Sequence, residues 1–140
     1  MSEPFFLDTN ILVYSFDRSS PRKELLAQHL INRAISTGDG IISYQVVQEF
    51  FSVALKRLAT PMSVAEAQKY LATVFQPLLA VHSSSSLYSE SLNLHASAGL
   101  SWFDALIVAS AQQARCQLLY TEDLQHGQRF GNLRVVNPFL

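Results

Sequence analysis

Cysteine is almost missing from this chain: Cys116 is the only one among 140 residues. A single thiol excludes an internal disulfide and removes any basis for a cysteine-ligated zinc site. Lying beside an apolar strand, Cys116 reads as a small buried hydrophobe. Long hydrophobic runs are missing too, since no segment approaches the roughly 18 apolar residues of a membrane span. The N-terminal apolar run is short and Asp8 interrupts it, which excludes a secretory signal of ordinary form. The sequence therefore predicts a soluble cytoplasmic protein without membrane contact. Neither an internal repeat nor a linker divides the chain, and residues 1–140 read as one domain.

Charge of one sign is also lacking. Ten Lys and Arg face eleven Asp and Glu, for a net charge of −1. Setting aside four acids as a candidate metal site leaves ten bases against seven acids, a modest surplus suited to a polyanionic partner, although a mixed solvated surface gives the same count. What the chain does have is apolar residues, 49% of the total, enough to exclude disorder and to build a sizeable core.

The organising stretch is Phe5-Phe6-Leu7-Asp8-Thr9-Asn10-Ile11-Leu12-Val13-Tyr14. A short apolar run bounded by polar residues is the pattern of a strand buried within a parallel sheet. An ionised Asp at the end of such a strand is costly unless a cation or hydrogen bonds meet it. Downstream, Ser19 or Ser20 with Pro21 opens a helix that Gly38 ends, with Leu25, Leu26, His29, Leu30, Arg33 and Ala34 on one face. His29 on that face reads as packed or hydrogen-bonded. Gly40-Ile41-Ile42 is a second strand, and Ser43 caps a helix over about 44–58. Val46, Val47, Phe50, Phe51, Ala54, Leu55 and Leu58 form its buried stripe, with Glu49 at the margin. Ser63 and Glu66 make a capping box for a helix ending before Pro77. Leu78–Val81 predicts a third strand, the serine run a capped helix stopped by Gly99, and Ser101 the start of a helix buried on most sides. Gln117–Tyr120 is a fourth strand, Thr121–Gly131 a polar loop and Leu133–Val136 a fifth strand. Strands alternating with helices imply an α/β domain with a mainly parallel sheet.

In that architecture, strand C-termini and the N-termini of the following helices share one edge of the sheet, where ligands bind. Asp8 ends the first strand, Glu49 lies early in the helix after the second, Asp104 opens the helix leading to the fourth, and Asp123 follows the fourth. Four acids spaced 41, 55 and 19 residues apart thus reach one place. Asp39 precedes a strand and belongs at the opposite edge. Singly, Asp104 is explained as a capping carboxylate, Glu49 as a helix-surface acid and Asp123 as a loop residue; only Asp8 demands a reason. Their joint arrival favours a site. Clustered carboxylates repel unless a cation is present, and hard oxygen ligands without His or Cys suit Mg²⁺ or Mn²⁺. Such a site hydrolyses phosphodiesters by activating water and stabilising the leaving oxygen. Thr9, Asn10, Ser101 and Thr121 flank the acids and are placed to hydrogen-bond them or the substrate.

On these residues the chain resembles PIN-domain proteins, and among them the VapC-type toxin ribonucleases. The resemblance rests on Asp8-Thr9-Asn10-Ile11-Leu12, Glu49 within Val47-Gln48-Glu49-Phe50, Ser101-Trp102-Phe103-Asp104-Ala105-Leu106-Ile107 and Thr121-Glu122-Asp123-Leu124. Gly127-Gln128 and Val136-Asn137-Pro138-Phe139 extend it to the C-terminus. It implies a three-layer domain with a five-stranded sheet of order 3-2-1-4-5, and a Mg²⁺- or Mn²⁺-dependent endoribonuclease. It also implies a homodimer and a VapB-type antitoxin that inserts near the acidic site. Asp8, Glu49, Asp104 and Asp123 carry over as metal ligands, Asp123 the least tightly held, while the role of Glu122 stays open. Arg and Lys would meet RNA phosphates, and an exposed aromatic such as Trp102 would stack on bases unless it belongs to the core. Two other readings compete. A domain that binds RNA or protein without cleaving would use the same edge. A phosphatase of the aspartyl-phosphate type wants a second Asp two residues after the nucleophile, where this chain has Asn10.

Overall fold

The computed structural model describes residues 3–140. Its central strand, β1 (Phe5–Leu7), is buried at all three residues. It pairs in parallel on both sides, with β2 (Gly40–Ser43) and with β4 (Leu118–Tyr120). A strand bonded along both edges and covered on both faces has nowhere to place a polar side chain, hence the unbroken apolar run. Beside β2 lies β3 (Leu79–Val81), and beside β4 lies β6 (Leu133–Val136), both parallel to their neighbours. The last strand, β5 (Arg129–Phe130), closes the sheet antiparallel to β6, giving the order β3-β2-β1-β4-β6-β5.

The order 3-2-1-4-5 is therefore extended by one strand: the fifth strand read from the sequence is β6, and β5 lies inside the expected Thr121–Gly131 loop. Gly131 and Asn132 turn the chain between them, with Gly131 at φ +61°, a conformation that suits a tight hairpin. Two residues are too few to leave a strand periodicity.

Helices flank the sheet: α1 (Thr9–Tyr14), α2 (Pro21–Thr37), α3 (Tyr44–Ala54), α4 (Val64–Tyr70), α5 (Gln76–Leu78), α6 (Ser85–Ala98) and α7 (Trp102–Gln113). Most boundaries follow the local chemistry. Ser20 and Pro21 open α2, Ser63 and Glu66 form the reciprocal capping box of α4, and the Ser84 hydroxyl accepts the Leu87 N–H of α6. Gly38 and Gly99 end α2 and α6 in the left-handed region.

Four details differ from the sequence expectation. The residues after Asp8 turn at once into α1, which the apolar run concealed. The buried face of α2 is Ala27, Leu30, Ile31 and Ala34, so Leu25 and His29 are exposed and His29 is not packed, while Arg33 lies over the Phe5 ring and donates to the Tyr120 hydroxyl at 2.8 Å. Helix α3 stops at Ala54, whose carbonyl accepts the Met62 N–H, and Leu55 is left exposed. Finally, α4 does not end before Pro77: a π-helical turn (Leu71–Phe75) carries it into α5, where Pro77 stands in the first turn and its missing N–H is not needed.

Two close contacts position the site. At Gly40 a Cβ would fall 2.1 Å from Ala34 Cβ, so α2 lies directly on the backbone of β2. Gln113 Nε2 donates to Ser86 Oγ at 3.4 Å, so α7 ends where α6 begins and the two run antiparallel. This returns the start of α7 to the edge where β1 and β4 end. The Phe50 ring, stacked on Tyr70 and edge-on to Phe75, centres the aromatic part of the core. Among the described residues no helix is long and apolar enough to cross a membrane.

Candidate active site

Asp8 is the hinge between β1 and α1. Its backbone is extended, and its Oδ1 caps α1 by accepting the Thr9 N–H at 2.7 Å. Its Oδ2 accepts the Thr121 hydroxyl at 2.8 Å, and its own N–H donates to the Tyr120 carbonyl. One side chain thus ties the end of β1 to the end of β4 while remaining 5% exposed.

Thr121 is the hub of the C-terminal side. Its single hydroxyl proton goes to Asp8, while its oxygen accepts from Asn10 Nδ2 at 3.2 Å and from the Asp123 N–H at 3.1 Å. Asn10 returns the favour across the gap, its Oδ1 accepting the Glu122 N–H at 3.4 Å. The Glu122 carboxylate is engaged elsewhere: it accepts from the Tyr14 hydroxyl and forms an ion pair with Lys23 at 2.7 Å. Lys23 also lies 4.6 Å from the centroid of the Tyr14 ring. Burial alone would raise the Glu122 pKa, but Lys23 and Tyr14 outweigh it and hold the group below its ordinary range.

Glu49 reaches the same place from α3. Its Oε1 accepts the Thr9 hydroxyl at 2.7 Å, so adjacent groups of Thr9 serve Asp8 and Glu49. Gln45, one turn earlier, donates to Glu49 Oε2 at 3.4 Å and to the Phe103 carbonyl at 3.3 Å, linking α3 to the first turn of α7. Asp104 follows Phe103. Ser101 Oγ accepts the Asp104 N–H at 3.2 Å, but among the described residues no donor meets the Asp104 carboxylate, so capping does not occupy it. Trp102 packs into a small cluster with Val81, Leu87, Leu106 and Ala109, whereas Phe103 is 61% exposed beside the acids. The exposed aromatic at this edge is Phe103, not Trp102.

The electrostatics follow from this arrangement. Burial pushes the Asp8 carboxyl from its usual 3.8 up to about 7; Thr121 and the Thr9 N–H oppose the rise, and the charges of Asp123 and Glu49 add to it. Asp8 therefore lies within the fields of both Glu49 and Asp123. Among the described residues no three His, Cys, Asp or Glu side chains converge tightly enough to enclose a metal ion as they stand. The donors are nonetheless all hard oxygens around a buried carboxylate that its neighbours destabilise, a chemistry that fits a divalent cation of the Mg²⁺ type. Gln45 Oε1 and Ser43 Oγ are buried beside α3 without a partner among the described residues, and groups of this kind take a water or a ligand.

Sequence reasoning missed Gln45, Tyr14 and Lys23. Gln45 stands one helical turn before Glu49, a spacing that marks it as a neighbour. Tyr14 and Lys23 carry no such mark, because their partner Glu122 is about a hundred residues away.

The PIN-domain family model matches residues 5–129. The chain belongs to the PIN-domain family. Compared by sequence with curated proteins, it matches none of them. Solved structures share the fold. A toxin–antitoxin complex from Klebsiella pneumoniae aligns with a TM-score of 0.66 at 23% identity, over 95% of this chain and 96% of that one. VapC20 of Mycobacterium tuberculosis, a Sarcin-Ricin loop cleaving toxin, aligns with a TM-score of 0.62 at 21% identity, over 85% and 89% of the two chains. VapBC2 from Rickettsia felis, bound to a DNA fragment from its promoter, aligns with a TM-score of 0.59 at 20% identity, over 94% and 96%. At these identities the likeness is one of fold: this PIN domain is built as those chains are.

Proposed function

We propose that this PIN domain, residues 1–140 as one unit, is a Mg²⁺- or Mn²⁺-dependent endoribonuclease and the toxin of a VapBC-type pair. The observation that carries the reading is Asp8, a buried carboxylate whose oxygens are held by the Thr9 N–H and the Thr121 hydroxyl while two further acids raise its proton affinity. Such an arrangement is unfavourable in itself and becomes favourable when a cation joins it. Asp8, Glu49, Asp104 and Asp123 are the groups to hold the ion. A bound divalent ion supplies polarisation of a phosphoryl oxygen and a water acidic enough to attack at neutral pH.

The protein's own contribution is orientation. Thr121 fixes Asp8 and the Asp123 backbone with one oxygen, Thr9 fixes Asp8 and Glu49, and Gln45 holds Glu49 against the start of α7. Ser101 sets the first turn of α7 and so the direction of Asp104, and Asn10 braces Thr121. Phe103 offers an open face for an unstacked base beside the acids. Two fold relatives are toxin–antitoxin assemblies, which supports a VapB-type partner; a homodimer and a cytoplasmic location complete the proposal.

The test is incubation of total cellular RNA with the purified chain in Mg²⁺, Mn²⁺ or EDTA, wild type beside Asp8→Asn. Discrete fragments that require both metal and Asp8 are expected. Fragments made equally well by Asp8→Asn, or in EDTA, would overturn the assignment. Co-purification with the product of an adjacent small gene tests the antitoxin.

A further inference from the structure

We infer that a groove at the opposite end of β4, lined by Arg115, Arg129 and Arg134, is a second contact for the RNA backbone. This deepens the ribonuclease reading and rests on it. The groove measures about 790 Å³ and lies between the end of α7 and the β5–β6 hairpin. Three of the ten basic residues of the chain line it and no Asp or Glu does. Among the described residues none of the three arginines has an ion-pair or side-chain hydrogen-bond partner. The acidic edge, by contrast, has Lys23 already bound to Glu122. RNA whose scissile phosphate sits at the carboxylates thus finds in this groove three unpaired cations grouped together.

An independent observation concerns Arg115. Helix α7 closes with the Arg115 N–H donating to the Gln112 carbonyl and the Cys116 N–H to the Ala111 carbonyl, the pattern of a Schellman turn. The residue at this position is left-handed, and Arg115 has φ +58°, the only positive φ outside glycine among the described residues. Glycine fits that position without strain. An arginine kept there against its backbone preference, with its side chain on the groove, indicates a use for the guanidinium. The walls are fixed as well. Gln112 Nε2 donates to the Phe130 carbonyl at 3.2 Å and the Arg134 N–H to the Gln117 carbonyl at 2.9 Å, holding the hairpin against α7 and β4.

The chemistry favours single-stranded RNA. Guanidinium groups pair with phosphates and stack on unpaired bases, and the amides of Gln117 and Asn132 on the groove offer base-edge partners. Leu118 borders the groove and Tyr120 meets Asp8, so the two sites are separated by the length of β4, about 10 Å at three residues of strand. Because β4 lies inside the sheet, a single strand joins the two sites only by passing around the outside of the domain. The family match ends at residue 129, so Arg134 lies beyond it.

The experiment is binding of a fluorescein-labelled single-stranded oligoribonucleotide to the full chain in EDTA, where metal-dependent cleavage is off, over a salt series. Arg115→Gly, Arg129→Gln and Arg134→Gln are compared with wild type, and the matching DNA duplex is run as a second probe. Each variant is expected to weaken RNA binding several-fold and to reduce the salt slope by about 0.7 per lost phosphate contact. Arg115→Gly should do so while melting higher than wild type, since it relieves the left-handed strain, which separates lost binding from lost folding. An unchanged slope in all three variants overturns the inference, as does tighter binding of the duplex through the same arginines, or no RNA binding by wild type. Cleavage of total RNA in Mg²⁺ judges the ribonuclease reading separately.

Discussion

Replacing Asp8 with Asn removes the one carboxylate that burial holds against its own charge. The folded chain keeps the Asp8 proton up to about pH 7, whereas the unfolded chain releases it near 3.8. Between those values the folded state binds the extra proton, so wild-type stability falls as pH rises through the window and levels off above it. The Asn variant has no such slope. From about pH 5 to about pH 8 the curve crosses two units below the folded value, and at about 1.4 kcal/mol per unit the variant gains roughly 3 kcal/mol on the wild type. A constant offset opposes this gain. Thr121 Oγ1 already accepts from Asn10 and Asp123 and gives its only proton to Oδ2. An Asn amide nitrogen in that place meets no free acceptor, at a cost of about 1–3 kcal/mol. Urea unfolding in EDTA at both pH values measures the difference, with RNA cleavage assayed alongside. The stability gap should shift toward the variant by roughly 3 kcal/mol on the alkaline side, and cleavage should be absent throughout. Parallel pH curves for the two proteins would refute the buried-charge reasoning.

Adding Mg²⁺ to the EDTA-stripped protein should raise the melting temperature of wild type more than that of Asp8→Asn, because the ion favours the folded state only where the carboxylate can hold it. Thr121→Val deletes the hydroxyl shared by Asp8, Asn10 and Asp123; it should cost about 1–3 kcal/mol and move the acidic limb of the cleavage pH profile upward, since Asp8 loses the bond that most lowers its pKa. Lys23→Met should lower cleavage with little change in the urea midpoint, as Glu122, the neighbour of Asp123 in the chain, loses its ion pair; restored activity in Lys23→Arg would confirm that the charge is what counts. Gly40→Ala places a methyl against Ala34 Cβ and should destabilise the fold by about 1–3 kcal/mol in chemical unfolding.

Elements written in local chemistry were legible. Caps at Ser63 and Ser84, stops at Gly38 and Gly99, and the buried strand before Asp8 each express themselves within a few residues. Misreadings occurred where tertiary contacts decide. Helix α1 shares its apolar residues with β1 and is announced only by Asp8 acting as a cap, a role that also looked like an unexplained buried charge. The face of α2 is rotated because Gly40 admits Ala34 so closely that Ala27 and Ile31, not Leu25 and His29, turn inward. Pro77 stayed helical because a π-turn supplied the first-turn position in which proline is tolerated. At the site, parallel topology sufficed to bring Glu49 and Asp123 within reach of the Asp8 charge. Partners such as Tyr14 and Lys23 stayed hidden because only the folded distance to Glu122 reveals them.

Asp8 and Thr121 are separated by almost the whole chain, and their bond requires β1 and β4 to lie side by side. A ribosome making this protein therefore releases the first acid early and its stabilising hydroxyl very late. Until β4 emerges, Asp8 has only the Thr9 N–H, and Asp123 does not yet exist. The catalytic edge cannot be assembled piecemeal from any N-terminal fragment, and a chain truncated before residue 121 should be inert. For the ribonuclease proposed above, that order of synthesis keeps the acids from assembling until the chain is almost complete.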